Sequence, residues 1–479
     1  MNEFSTAAET GTSGEQAAER EAAGRQTSSG HASLAVIGMK LRELKLFEPI
    51  LKGVKIVQKT VKYTPGEKLC QAFVGLLCGA QGIVEINTRL RTDQALQAAF
   101  GWDGCAEQSV IQETLDAGTD ENVTEIEAAM DKIYQQQSQG FRHNYEASRQ
   151  LLDLDMSGMP CGRKAECATK GYFAKQRNRR GRQLGRVIAT RYHEIVVDRL
   201  FPGVVQLTAA LRPLVCAAEK TLGIDGEEGE TQRARTILRV DSGGGSLADI
   251  NWCLSRGYLY HGKDFSTRRA ERLAESVVEW VDDPKGGGRQ FGYVTEAATD
   301  YVEPVVRIAV RCPKQAGGYG YAAIVSALKP NEVVQEAQLS PEFGEHPHAV
   351  LLAYVYFYDP RGGSIEIEIK GDKQGLGITK RNKKRMAAQQ VLTQLGALAH
   401  NVLIWAKRWL VPSAPKLRRY GIERLVRDLL AINGIADIDA KGQIRRITLN
   451  QSSLLARHCL AALQSLLASL PVALILGET

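Results

Sequence analysis

The sequence predicts an α/β domain preceded by one helical region and followed by another. Two observations carry the α/β part. The runs RQLLDLDMSG and ARTILRVDSGGG are short apolar segments that end in aspartate and break at glycine, as strands delivering an acid to a sheet edge do. Between them GRVIATRYHEIVV reads as strand and VVQLTAALRPLVCAAEKTLG as helix, the alternation from which α/β sheets are built. A third observation sets the N-terminal flank. GEKLCQAFVGLLCGAQGIVEI and ENVTEIEAAMDKIYQQQ repeat apolar residues at the helix period, so residues 33–140 read as a separate helical domain.

The remaining elements follow in chain order. Residues 1–32 lack the apolar core of a signal peptide and read as a disordered leader. Residues 263–345 mix a helical run, RRAERLAESVVEWV, with the strand-like RQFGYV, VVRIAVRC and GYAAIVSAL, which makes them a strand-rich insertion. The stretch YDPRGGSIEIEIKGDKQGLG is double-natured. Its alternation IEIEIK suits a half-buried strand, yet at 3.6 residues per turn Glu366, Lys370 and Lys373 share one helix face and Ile365, Ile369 and Leu376 another. AAQQVLTQLGALAHNVLIWAKRWL is a strong amphipathic helix behind it, and residues 411–479 read as a helical C-terminal region.

With 479 residues, 44% hydrophobic and 24% charged, the chain is long enough for two or three domains with real cores. Its net charge of +7 is modest, but basic residues crowd two segments: Lys175 to Arg186, including Arg179 and Arg180, and Lys370 to Arg385. Nine cysteines without C-x-x-C pairs read as reduced thiols of a cytoplasmic protein, with Cys161 and Cys167 structural. GGGS at Gly243 lacks the lysine of a phosphate loop. From Cys459 to Gly477 there is no charge, a length that could span a bilayer, but Gln464, Ser465, Ser469 and Pro471 interrupt it. Leu460, Leu463, Leu467, Leu470 and Leu474 then read as a packing seam, and no membrane is expected.

Three acidic positions remain: Asp153 or Asp155, then Asp241, then Glu366 or Glu368. Acids ending strands are common, and by themselves they establish no site. Brought together, three carboxylates repel one another unless divalent cations sit among them, and hard oxygen donors suit Mg²⁺ or Mn²⁺. Two such ions about 4 Å apart can activate an attacking oxygen and stabilise a leaving one in phosphoryl transfer.

LLDLDMSGMPCGRKAECATKGYF, RTILRVDSGGGSLADINWCLSRGYLYHGK and YDPRGGSIEIEIKGDKQGLGI with its LGALAHNVLIWAKR helix together resemble the three catalytic blocks of bacterial insertion-sequence transposases of the DDE type, in the branch marked by a Tyr-Arg-Glu-Lys signature. The resemblance implies an RNase-H-like catalytic core over 145–262 and 346–410, with 33–140 as the DNA-binding domain. It also implies two divalent ions, Mg²⁺ or Mn²⁺, and movement of double-stranded DNA bounded by inverted repeats into target DNA. Carried over by position, Asp155 is the first acid because x-Ser follows it, with Asp153 the alternative; Asp241 is the second. Tyr358, Arg361, Glu366 and Lys373 match the signature, although four residues rather than three separate Arg361 from Glu366. The family places the last acid on a helix, where Glu366 and Glu368 point about 200° apart and only one can face the metals. Glu366 is preferred because it lies on the lysine face and at the signature spacing. Tyr358, Arg361 and Lys373 would grip DNA phosphates, Arg239, Arg179 and Arg180 would line the channel, and the leucine seam would serve a homodimer in the DNA complex. Such a protein would be cytoplasmic and nucleoid-associated on DNA. The other reading is a transposase-derived DNA-binding protein that has lost catalysis.

Overall fold

The computed structural model describes residues 24–59, 62–171, 173 and 178–479. Most of the expected leader, and Lys175 and Arg177 of the first basic cluster, lie outside the described residues. The end of that leader is structured: β1 (Arg25–Ser29) pairs antiparallel with residues 434–438, far along the chain. Helix α1 (Ala32–Glu43) follows, then α2 (Pro65–Leu77), started by a capping box. The Thr64 hydroxyl accepts from the Glu67 amide, and the Glu67 carboxylate accepts from the Thr64 amide. Helix α3 (Asp120–Gln137) closes this part of the chain.

The sheet begins with β2 (Gln150–Pro160), whose first five residues are all buried, as in a central strand covered on both faces. Next come the short β3 (Thr169–Lys170), β4 (Arg180–Ala189) and β5 (Glu194–Pro202). GRVIATRYHEIVV is therefore parts of two strands, not one. A short 3-10 turn ends at His193 in the left-handed conformation (φ 57°), folding β5 back on β4. After α4 (Leu207–Leu222) come β6 (Thr236–Val240), α5 (Leu247–Ser255) and β7 (Leu259–Lys263). The order across the sheet is β5, β4, β2, β6, β7; β4 runs antiparallel to β5 and β2, while β2, β6 and β7 are parallel.

The strand-rich insertion makes no sheet of its own. Its strands β8 (Val281–Asp282), β9 (Gln290–Tyr293), β10 (Val306–Pro313) and β11 (Tyr319–Ser326) extend the same sheet to ten strands, because β11 pairs antiparallel with β7. Helix α6 (Ala349–Tyr358) is apolar all round and buried against this extension. Pro360 then opens α7 (Pro360–Gly371), which passes into one π-helical turn at Asp372–Leu376. The alternation IEIEIK is thus helical: Ile365 and Ile369 pack on Ile188, while Ile367 is exposed.

Helix α8 (Met386–Leu410), 25 residues and about 37 Å long, has most of its side chains buried. It lies against β5 on one side and α2 and α3 on the other. Residues 33–140 are consequently not a separate domain. Their apolar core is continuous with α8 and with residues 414–474. Nor is the C-terminal region wholly helical: β12 (Gly434–Ile438), β13 (Ile444–Asn450) and β14 (Ala473–Gly477) form a four-stranded sheet with β1, beside α9 (Leu454–Leu466). The leucine seam breaks accordingly. Leu463 and Leu467 are buried in this core, Leu474 lies on β14, and Leu460 and Leu470 pack partly buried against the same core, so most of the seam is spent within the chain. Among the described residues no helix is long and apolar enough to cross a membrane.

Truncating Leu463 to alanine should therefore cost about 2–5 kcal/mol in urea unfolding, with no change of oligomeric state by light scattering. A change of assembly at full stability would return the seam to a partner role. Residues 24–140 expressed alone should give no cooperative melt by circular dichroism, since much of their core is supplied by α8 and the C-terminal region.

Candidate active site

The sheet register sets the site. Parallel pairing of β2 with β6 places Asp153 beside Arg239 and Leu154 beside Val240, so Asp155 and Asp241 emerge side by side just past the last paired residues. Side chains alternate along a strand, so Asp153 and Asp155 share a face, as do Arg239 and Asp241. One ion pair thus lies directly below the two acids. Arg239 Nε and Nη2 donate to the two Asp153 oxygens at 2.7 and 2.8 Å, and Ser364 Oγ on α7 donates to the same carboxylate at 2.7 Å. Arg239 Nη1 donates to the Phe357 carbonyl at 2.7 Å, with its guanidinium 5.1 Å over the Phe357 ring. Asp153, 0% exposed, is paired with Arg239 and held by three hydrogen bonds, which argues against it as the alternative first acid. Arg239 lines no channel, because burial and these bonds occupy its guanidinium.

Asp155, Asp241 and Glu366 are brought together around Arg361. Its Nη1 lies 3.9 Å from Asp155 Oδ2, and its Nη2 lies 3.7 Å from Asp241 Oδ2 and 3.9 Å from Glu366 Oε1. The guanidinium is buried and donates to the Leu154 carbonyl at 3.3 Å, while its Nε finds no acceptor. Among the described residues no three His, Cys, Asp or Glu side chains are gathered closely enough to hold a metal ion as they stand; here the guanidinium stands between the acids. Burial pushes the Asp155 carboxyl up to about 6; Arg361 and the Met156 amide oppose that shift, and Asp241 and Glu366 add to it. Asp241 and Glu366 are open to solvent, with side chains 41% and 61% exposed. The group can concentrate negative charge at an accessible edge, beside one under-used cation.

The other expected residues divide. Glu368 turns away from this group and pairs with His193 Nδ1 at 3.0 Å. Lys373 Nζ donates to Ser157 Oγ at 2.6 Å, two residues beyond Asp155; burial lowers its pKa, as does Arg186, and Asp155 works against them. Tyr358 is a packed aromatic, with Lys263 Nζ 4.8 Å over its ring and burial pushing its hydroxyl up to about 12. Much of the basic clusters is structural. Arg182 donates to the carbonyls of Glu166, Lys383 and Lys384, and Arg381 to those of Ala80 and Leu376. Lys383 is buried against Gln112, and Arg180 donates to the Ala168 carbonyl at 3.2 Å, whereas Arg179, Lys370, Lys380 and Lys384 are exposed. Sequence reading missed Ser364 and treated Ser157 only as a family marker. The register of β2 against β6 would have been needed to find their partners.

Removing the Asp153 charge should be costly: Asp153→Asn strands a buried guanidinium and should lose about 3–5 kcal/mol in urea denaturation. Asp155 should behave oppositely. With a folded-state pKa near 6 and an unfolded one near 3.9, the folded chain binds the proton more tightly, so stability falls as pH rises between them. At pH 7 in chelator, Asp155→Asn should then be neutral or stabilising by on the order of 1 kcal/mol. The reverse ranking of the two variants would exchange their roles.

No family model matches the chain, and no curated protein matches it. Among solved structures the chain is similar to a piggyBac transposase in a synaptic complex with hairpin DNA, at 12% identity and a TM-score of 0.45, over 82% of this chain and 79% of that one.

Proposed function

We propose that the chain is a DNA transposase of the DDE type, with Asp155, Asp241 and Glu366 as its acids. The observation that carries this reading is the meeting of three carboxylates from β2, from the end of β6 and from α7 around the one Arg361 guanidinium. The RNase-H-like core implied by the sequence resemblance would comprise β5, β4, β2, β6 and β7 with their helices and α7. In its favour, one sheet brings the first two acids side by side and a later helix adds the third.

The donor chemistry fits a hard divalent cation, since all three side chains offer carboxylate oxygens and two of them are open to solvent. Asp155, Asp241 and Glu366 would hold Mg²⁺ or Mn²⁺, two ions by the resemblance, and the bound cation supplies charge neutralisation at a scissile phosphate and an activated oxygen nucleophile. The chain's own residues bind and orient the DNA. Arg361, buried among the three acids, supplies the positive charge that holds them together, and Lys373, bonded to Ser157 two residues beyond Asp155, offers a further cation near the site. Exposed Arg179, Lys370, Lys380 and Lys384 add salt-sensitive backbone attraction. The substrate would be an insertion sequence with inverted-repeat ends, cut and then joined to target DNA through its 3′ hydroxyls by a cytoplasmic protein acting as a homodimer on the chromosome.

A supercoiled plasmid carrying the gene with its flanking DNA should be nicked and lose the element with Mg²⁺ or Mn²⁺, and should be bound but hardly cut with Ca²⁺. Undiminished cutting in excess chelator would sink the metal reading. Glu366→Gln should lower cleavage by about 100-fold or more with DNA affinity intact, whereas Glu368→Gln should stay within about threefold of the unaltered protein. Specific binding of the element ends without any cleavage would leave the non-catalytic DNA-binding reading in its place.

A further inference from the structure

Behind the acids lies a buried ionic network that the proposed chemistry does not use. Arg186 stands directly across the β2–β4 ladder from Asp155. Its Nε and Nη2 donate to the two Asp198 oxygens, both at 2.7 Å, and its Nη1 donates to Asp372 Oδ2 at 2.5 Å. The other Asp372 oxygen meets His400 Nδ1 at 2.8 Å, and His400 Nε2 lies 2.9 Å from the His193 carbonyl oxygen. Burial would lower the His400 pKa, but Asp372 outweighs it and holds the ring above its ordinary value, which favours the doubly protonated form between two acceptors. No side chain among the four is more than 2% exposed. Although burial would raise it, His400 and Arg186 hold the Asp372 carboxyl below its ordinary value.

The four residues come from β4, β5, the π-helical turn after α7, and α8. A buried network of this kind adds little net stability compared with apolar packing, but it accepts only one arrangement of the elements that supply it. Helix α7 needs such a constraint. It contains Gly362, Gly363 and three isoleucines, which hold a helix poorly by themselves. At its start Ser364 bonds Asp153; at its end Asp372 enters the network, six residues after Glu366 and next to Lys373.

We propose that Asp372, gripped by Arg186 and His400, is a positioning residue that fixes Glu366 and Lys373 relative to Asp155. This rests on the reading of Glu366 as a catalytic acid. Asp372→Asn keeps the shape of the side chain and removes the charge that Arg186 and His400 share. In the full chain, assayed on the same plasmid well below the melting temperature, its cleavage turnover should fall about 100-fold while its DNA dissociation constant stays unchanged. Hydrogen–deuterium exchange should quicken over residues 360–376 and not in β2, β4 or β6. Cleavage within about twofold of the unaltered protein, or exchange quickened throughout the sheet, would overturn the proposal. If Asp372→Asn does not fold, His400→Gln leaves the Arg186–Asp372 pair in place and decides by the same two readouts. If the unaltered protein does not cut DNA, the proposed function fails, and the exchange pattern alone decides whether Asp372 docks α7.

Discussion

The closure of the β5 edge by α8 is the constraint on which the rest of the structure depends. An edge strand presents a row of unpaired backbone groups that must be bonded or exposed to water. Here side chains of α8 do the bonding. Asn401 accepts from the Ile195 amide at 2.7 Å and donates to the Ile195 carbonyl at 2.8 Å; Gln390 accepts from the Leu200 amide at 2.7 Å and donates to the Asp198 carbonyl at 3.0 Å. Trp405, fully buried, donates to Glu194 at the start of the strand. Helix α8 thereby becomes a false neighbouring strand, its far side is left to bury α2, α3 and the C-terminal elements, and the flanking regions inherit their placement from it.

Charge is sorted by depth on the face that carries the acids. The deepest pair, Asp153 with Arg239, is closed by two parallel hydrogen bonds and contributes a fixed, neutral base. One strand step outward, Asp155 and Asp241 have only a distant guanidinium and one backbone amide each. Two aspartates separated by one residue on the same strand thus differ in kind: the inner one is saturated and the outer one is left with unused oxygens.

Basic residues that look alike in sequence divide in the same way. Arg182, Arg186, Arg239 and Arg381 are interior, where a planar guanidinium spreads its charge over several carbonyls or carboxylates. A run of arginines in a strand that is buried on both faces cannot all reach solvent, so the density of positive charge along the sequence overstates the charge the surface carries.

By itself the sequence determined the local elements. The strands at 150–160 and 236–240, the break at Asp241 and the helix at 386–410 each rest on a pattern of neighbouring residues, a short apolar run, a glycine or a 3.6-residue period, whereas the break expected after Asp155 is absent because β2 continues to Pro160 in its ladder with β4. The tertiary structure decided everything that depends on which residues meet across the chain. IEIEIK follows a strand alternation, yet Ile365 and Ile369 find Ile188 only as a helix, and that contact outweighs the pattern. Asp153 and Asp155 are equivalent until the β2–β6 register gives Arg239 to one of them. The leucine seam and the separate helical domain were misread because an apolar face does not say what covers it; α8 and a C-terminal sheet completed by β1 cover both from within the chain. Backbone propensity is encoded within a few residues, whereas burial, pairing and the partners of charged groups are fixed by contacts between segments far apart in the sequence.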